Sequence, residues 1–300
     1  LIMGMFKGLG VAMITPFTAD RSVDIEGLKR LTNHLIAGGV DYLVVLGTTG
    51  ESVVLDADEK SLVLETVLEV NQGRLPVVLG VGGNDTAKVC REASACASKG
   101  IQGLLSVSPY YNKPSQAGIY EHYKSLAGST DIPIILYNVP GRTSSNMLPE
   151  TTLRLAHDFP GICAIKEASG NIEQVMRIID GKPNDFLVIS GDDALTLPML
   201  ACGADGVISV VANAFPEQFS KVIANGRGKD LDTARKFHYQ LLEITNLLFA
   251  EGNPAGIKEV AQILGICDNY LRLPLVNVSP TTSAKMKEVI ALKALSSSLQ

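Results

Sequence analysis

Eight short apolar runs, each followed by a stretch of helical periodicity, restrict what this chain can fold into more than any other feature. The runs cover residues 11–15, 42–46, 77–81, 103–107, 134–138, 162–166, 186–190 and 206–211. Each is almost continuously apolar, as parallel strands covered on both faces must be. Most begin at or just after a glycine or proline, such as Gly10, Pro76, Gly103, Pro133 and Gly161. Between them the spacing predicts helices. Residues 27–37 place Leu28, Leu31, Leu35 and Ile36 on one face, and residues 59–70 do the same with Leu62, Val63, Val67 and Val70. Residues 86–98, 117–126, 153–159, 172–179, 195–201 and 218–224 complete the set. Connections such as Ala37-Gly38-Gly39-Val40-Asp41 and Ala201-Cys202-Gly203-Ala204-Asp205 read as helix C-caps leading into strands.

Eight such units in succession predict a (β/α)₈ barrel. An open doubly wound sheet is the alternative. It normally carries a GxGxxG turn after its first strand, and Val11 to Pro16 contains none. The strand pattern stops near residue 228. Residues 230–249, 254–264 and 279–295 then read as three helices. The expected organisation is a barrel over 1–228 and a helical extension over 229–300. Leu1 to Gly4, ahead of Met5, read as an added remnant, and Ser296 to Gln300 as a frayed end.

The remaining composition narrows the class. A chain of 300 residues with 46% hydrophobic content is long enough for one large barrel core. A net charge of −5 gives no reason to expect a nucleic acid or an anionic membrane as partner. No apolar run reaches the ~18 residues of a membrane span, and no signal peptide is recognisable at the start. The five cysteines include no CxxC pair and read as reduced thiols of a cytoplasmic protein.

In a (β/α)₈ barrel the chemistry lies at the carboxyl ends of the strands. Those ends carry Thr15, Gly47-Thr48-Thr49-Gly50-Glu51, Tyr110-Tyr111-Asn112, Tyr137-Asn138, Arg142-Thr143, Lys166-Glu167 and Gly191-Asp192-Asp193. Lys166 closes the sixth run. An amine among apolar neighbours is destabilised as the ammonium, which favours the nucleophilic form that condenses with carbonyls. Taken singly, each residue has a plainer reading. Lys166 could reach solvent at the strand end, Tyr137 could be a core tyrosine and Arg142 a surface ion-pair partner. Tyr110 and Tyr111 could be rim packing. Gly47-Thr48-Thr49-Gly50 could be only a turn, or a cradle of N–H and hydroxyl donors for a carboxylate. Their coincidence at one rim favours a reactive site. The four histidines, His34, His122, His157 and His238, all fall on predicted helices, and neither HxH nor HExxH occurs. No metal site is expected. A GxSxG elbow is absent too, and Val211-Ala212-Asn213-Ala214 lacks the glycines a phosphate site would want.

These segments resemble the dihydrodipicolinate synthase family, within the N-acetylneuraminate lyase-like class I aldolases, over about residues 6–295. The resemblance rests on Gly47-Thr48-Thr49-Gly50-Glu51-Ser52 with Glu59, and on Ser108-Pro109-Tyr110-Tyr111-Asn112-Lys113-Pro114. It rests also on Tyr137-Asn138-Val139-Pro140 with Arg142-Thr143, Lys166-Glu167-Ala168-Ser169-Gly170, Ser190-Gly191-Asp192-Asp193 and Gly206-Val207-Ile208-Ser209. Asn253-Pro254 and Leu271-Arg272-Leu273-Pro274 match late in the chain.

The resemblance implies condensation of pyruvate with L-aspartate-4-semialdehyde, on the route to diaminopimelate and lysine, with no cofactor or metal. It makes Lys166 the Schiff-base residue. Thr48 and Thr49 bind the pyruvate carboxylate. Tyr137 is the general acid/base, in a relay with Thr49 and with Tyr111 from a neighbouring subunit. Arg142 binds the semialdehyde carboxylate, and the backbone of Gly191 and Ile208 lines the pocket. A homotetramer of two dimers is implied, with a dimer as the smaller option. Sialic acid lyases of the same superfamily lack a cation at the Arg142 position, so Arg142 favours the synthase over another pyruvate-dependent aldolase or lyase. A silent, ligand-binding relative would be expected to have lost the lysine or tyrosines. Where lysine-inhibited members carry histidines and an acid, this chain has Ala57, Lys60 and Lys88, which predicts weak or absent inhibition by lysine.

Overall fold

Eight strands close on themselves in chain order. They are β1 (Gly8–Ala12), β2 (Tyr42–Val45), β3 (Val77–Gly80), β4 (Gly103–Val107), β5 (Ile134–Asn138), β6 (Ile162–Glu167), β7 (Leu187–Ser190) and β8 (Gly206–Ser209). Every neighbouring pair is parallel, and β8 returns to β1 through Gly8 opposite Gly206. This computed structural model describes residues 4–295; Leu1 to Met3 and the expected frayed end, Ser296 to Gln300, lie outside the described residues. The (β/α)₈ architecture is as the periodicity predicts.

The first strand begins three residues earlier than expected. Gly8 and Gly10, which look like a strand stop, lie inside it: a Cβ at Gly8 would stand 2.0 Å from Asp41 Oδ2, and Gly10 lies against a ring. Tyr42 and Phe6 plug the amino-terminal end of the barrel, their rings 5.7 Å apart and inclined edge-on at 66°. A Cβ at Gly10 would stand 2.3 Å from the Tyr42 ring, and one at Gly103 would stand 2.7 Å from Phe6. The strand therefore needs glycine where the plug passes.

Above the plug, the barrel interior is filled by Val44, Val78, Leu105, Ile135, Ala164, Ile189 and Ile208. A second, larger apolar layer separates strands from helices. The first helix, Ile25–Ala37, shows how that layer forms. Asp24 caps it by accepting the Gly27 N–H, and Leu28, Leu31 and Leu35 are fully buried against the strands. Each such burial contributes roughly 1.5–3 kcal/mol. The helix Ala57–Asn71 starts two residues earlier than its apolar pattern, because Asp56 and Glu59 form a reciprocal capping box.

Beyond the last barrel helix, Pro216–Arg227, come Leu231–Ala250, Ala255–Ile263 and Pro280–Leu292. The chain between the first two of these returns to the carboxyl-terminal mouth of the barrel, where Asn253 and Lys258 meet the turn after β2.

Candidate active site

Register places the two central side chains. Tyr137 on β5 stands opposite Lys166 on β6, and Asn138 opposite Glu167. Alternation then sends Tyr137 and Lys166 to the barrel interior and Asn138 and Glu167 to the helix side. Lys166 is 6% exposed, and its Nζ sits 4.1 Å from the centroid of the Tyr137 ring. Among the described residues no carboxylate lies within 4 Å of that nitrogen.

The lysine stem passes close to the backbone of Gly191. A Cβ on Gly191 would approach Ala168 Cβ at 2.8 Å and Lys166 Cγ and Cε at 3.1 and 3.2 Å. Only a glycine there lets the stem pass. On the other face of β6, Glu167 accepts from Asn138 Nδ2, Gln174 Nε2 and the Ser169 N–H. Burial pushes the Glu167 carboxyl up, and these bonds oppose the shift. The network fixes β6 against β5 at the rung that bears the lysine. Beside it, Asp193 accepts the N–H groups of Val210 and Val211 and ties the end of β7 to that of β8. Burial raises its carboxyl to about 6.

From Tyr137 a cleft of about 530 Å³ opens outward past Gly47, Thr48, Tyr110, Arg142 and Thr143 to Lys60 and Lys88. Arg142 rides on a one-turn helix, Pro140–Thr143, and is exposed. That helix has no signal in the strand periodicity; Pro140 at its first position starts it. Thr48 shares the cleft wall with Tyr137. Thr49, like Lys166, is not among the residues that line this outer cleft; it is 3% exposed, with its Oγ1 accepting from Asn253 Nδ2 at 2.9 Å. Ile208 is buried in the barrel interior.

Tyr110 lines the cleft with Tyr137, and Tyr111 does not. Tyr111 has φ of +74° and is 87% exposed, so the turn throws it away from its own cleft.

Sequence reasoning passed over the groups that hold the turn from behind. Lys258 is fully buried, with Nζ 2.6 Å from Glu51 Oε1 and 2.8 Å from the Tyr270 carbonyl. Burial pushes its ammonium pKa down and Glu51 opposes the shift. Arg272 pairs with Glu59 and donates to the carbonyls of Arg21 and Val54. A lysine inside the apolar segment Ala255-Gly256-Ile257-Lys258-Glu259-Val260-Ala261 is the one signal that could have flagged the pair.

Among the described residues no group of three or more His, Cys, Asp or Glu side chains is placed to hold a metal ion. No helix among them is long and apolar enough to cross a membrane.

A closed parallel barrel with a buried, ion-pair-free lysine and a tyrosine at its carboxyl-terminal mouth defines an enzyme of the (β/α)₈ class. More narrowly, the chain belongs to the dihydrodipicolinate synthetase family, whose sequence model matches residues 5–293. It is 53% identical over 284 residues to the 4-hydroxy-tetrahydrodipicolinate synthase of Flavobacterium psychrophilum, covering 95% of this chain and 97% of that one. The enzyme of the same name from Parabacteroides distasonis is 51% identical, with 95% and 96% covered. The solved dihydrodipicolinate synthase of Thermotoga maritima superposes with a TM-score of 0.95 at 40% identity, covering 97% of this chain and 99% of that one.

Proposed function

We propose that this chain condenses pyruvate with L-aspartate-4-semialdehyde to 4-hydroxy-tetrahydrodipicolinate, through a Schiff base on Lys166, as a step toward diaminopimelate and lysine. The observation that carries the reading is Lys166: buried, without a carboxylate partner, and packed on Tyr137 in a barrel mouth. Its amine adds to the keto carbon of pyruvate, and loss of water leaves the imine. The imine withdraws electrons, so the methyl group gives up a proton and the resulting enamine attacks the aldehyde of the second substrate. The amino group of that substrate then displaces Lys166 and closes the ring. No coenzyme is needed as electron sink.

Tyr137, stacked against the amine, moves protons to and from the reacting carbon and oxygen. The turn at Thr48 and Thr49 takes the pyruvate carboxylate. The resemblance assigns Thr49 to the proton relay; the wall shared with Tyr137 favours Thr48 for that task and leaves Thr49 to the carboxylate. Tyr111 points out of its own subunit, which supports its entering a neighbour's site in a dimer, two of which form the tetramer. Arg142, at the outer wall of the cleft, pairs with the semialdehyde carboxylate. The backbone of Gly191 and Ile208 completes the pocket, and the enzyme works in the cytoplasm. Another pyruvate-dependent aldolase or lyase is the second reading, and Arg142 is the residue that argues against it.

The test is borohydride reduction with pyruvate followed by peptide mass spectrometry. The adduct is expected on Lys166, and Lys166→Ala should abolish it. Arg142→Ala should raise KM for the semialdehyde about tenfold or more, as loss of a charged hydrogen-bonding partner does, and leave trapping intact. An adduct elsewhere, or none, refutes the chemistry. An unaltered KM in Arg142→Ala removes the substrate assignment.

A further inference from the structure

Among the buried threonines described, Thr49 is the one whose hydroxyl is recorded solely as an acceptor, while that of Thr152 has no partner. Thr32, Thr66 and Thr245 each donate to the carbonyl four residues earlier, and Thr15 donates to Gly50 O. Their protons are spent on the protein. Thr49 instead accepts, from Asn253 Nδ2 at 2.9 Å, and no acceptor for its own proton exists among the described residues. Asn253 is 7% exposed, and its Oδ1 is buried with no partner among the described residues.

The turn that carries Thr49 cannot slide to find another acceptor. Thr15 bonds Gly50 O at 2.7 Å, the Glu51 N–H bonds Thr48 O, and Glu51 is pinned by Lys258. A hydroxyl fixed this way, with one lone pair occupied and its proton free, suits an acceptor-only ligand. A carboxylate is that ligand, and an O–H donated to a carboxylate is among the stronger neutral-to-ion bonds.

We propose that Asn253 is a positioning residue for keto-acid binding: by donating to Thr49 Oγ1 it forces Thr49 to present its proton to the pyruvate carboxylate. The inference rests on the reading that Thr49 takes that carboxylate. It makes the segment after Gly252, 204 positions away in sequence, part of the pyruvate site.

The experiment is half-saturation of borohydride trapping by pyruvate, with steady-state KM for both substrates, in the intact enzyme. Asn253→Ala should raise the pyruvate concentration for half-maximal trapping about tenfold, as expected for one lost neutral hydrogen bond that orients a charged one. KM for the semialdehyde should stay within about twofold. Asn253→Asp keeps the shape, offers an acceptor and turns the Thr49 proton back, so its effect should be larger still. In a Thr49→Val background, Asn253→Ala should change half-saturation by less than about twofold. Thermal unfolding midpoints check that each variant is folded, and Asn253→Asp serves if the alanine variant is not. The proposal is overturned if either single variant traps pyruvate like wild type, or if Asn253→Ala loses the same factor with and without the Thr49 hydroxyl. Wild-type protein that forms no adduct on Lys166 sinks the proposed function itself, a separate outcome.

Discussion

Replacing Lys258 by methionine tests how the site is braced. Methionine fills nearly the same volume along the stem, so the change removes charge with little cavity. What is lost can be read from the surroundings. The Nζ sits 2.6 Å from Glu51 Oε1, 2.8 Å from the Tyr270 carbonyl and 4.0 Å from the centre of the Phe17 ring. Among the described residues Glu51 would keep only the Arg272 N–H at 3.2 Å. Removing one member of a buried pair typically costs about 3–5 kcal/mol, because the remaining charge is stranded. With an unfolding entropy near 2.1 cal/mol/K per residue, that corresponds to a drop of about 5–8 °C for a chain of this length. The assay is thermal unfolding at pH 7 and fixed protein concentration. A second arm gives the reasoning its edge. Adding Glu51→Gln removes the stranded charge and should recover most of the loss, so that the double variant is more stable than Lys258→Met alone. A single variant that melts within about 2 °C of wild type, or a double variant showing the plain sum of two losses, refutes the account.

Three further outcomes follow. Gly191→Ala drives a methyl group into the Lys166 stem and Ala168, so pyruvate trapping should slow about tenfold or more while the protein stays folded; unchanged trapping would show that the stem has room. His122 is buried, with Nδ1 on Thr86 Oγ1, and burial holds its pKa down at about 4. The folded state resists its protonation, so its stability contribution is lost as pH falls from the ordinary histidine range through about 4. His122→Gln should gain on wild type over that window by roughly 3 kcal/mol in denaturant titrations; a constant difference across pH would contradict this. Lys60 and Lys88 stand in the outer cleft, where a ligand ammonium would be repelled, so sub-millimolar lysine should leave the initial rate near its uninhibited value in a coupled assay. Strong inhibition at those concentrations would overturn the expectation.

The barrel was legible because each strand and helix is specified locally. Continuous apolar runs make strands covered on both faces, and 3.6-residue spacing makes the helices that cover them. The exception is β1, where Gly8 and Gly10 look like a stop. Their role appears only once Asp41 and Tyr42 are seen beside them. Lys166 and Tyr137 were visible as polar residues ending apolar runs, and the register that pairs them follows from the strand order. The outward turn of Tyr111 was implied by the family resemblance alone, since a positive φ at a tyrosine has no compositional cue. The bonds from Asn253, Lys258 and Arg272 were not visible. Those partners lie about two hundred residues from the turn they hold, and no periodicity spans that distance.

The ties between that turn and the late chain bear on anyone recombining relatives of this enzyme. A hybrid spliced near residue 228 would take its threonine turn from one parent and its Asn253, Lys258 and Arg272 counterparts from the other. A mismatch at any of the three would reach the mouth of an otherwise well-formed barrel. The two stretches should therefore be swapped as one cassette, however far apart they are written in the gene.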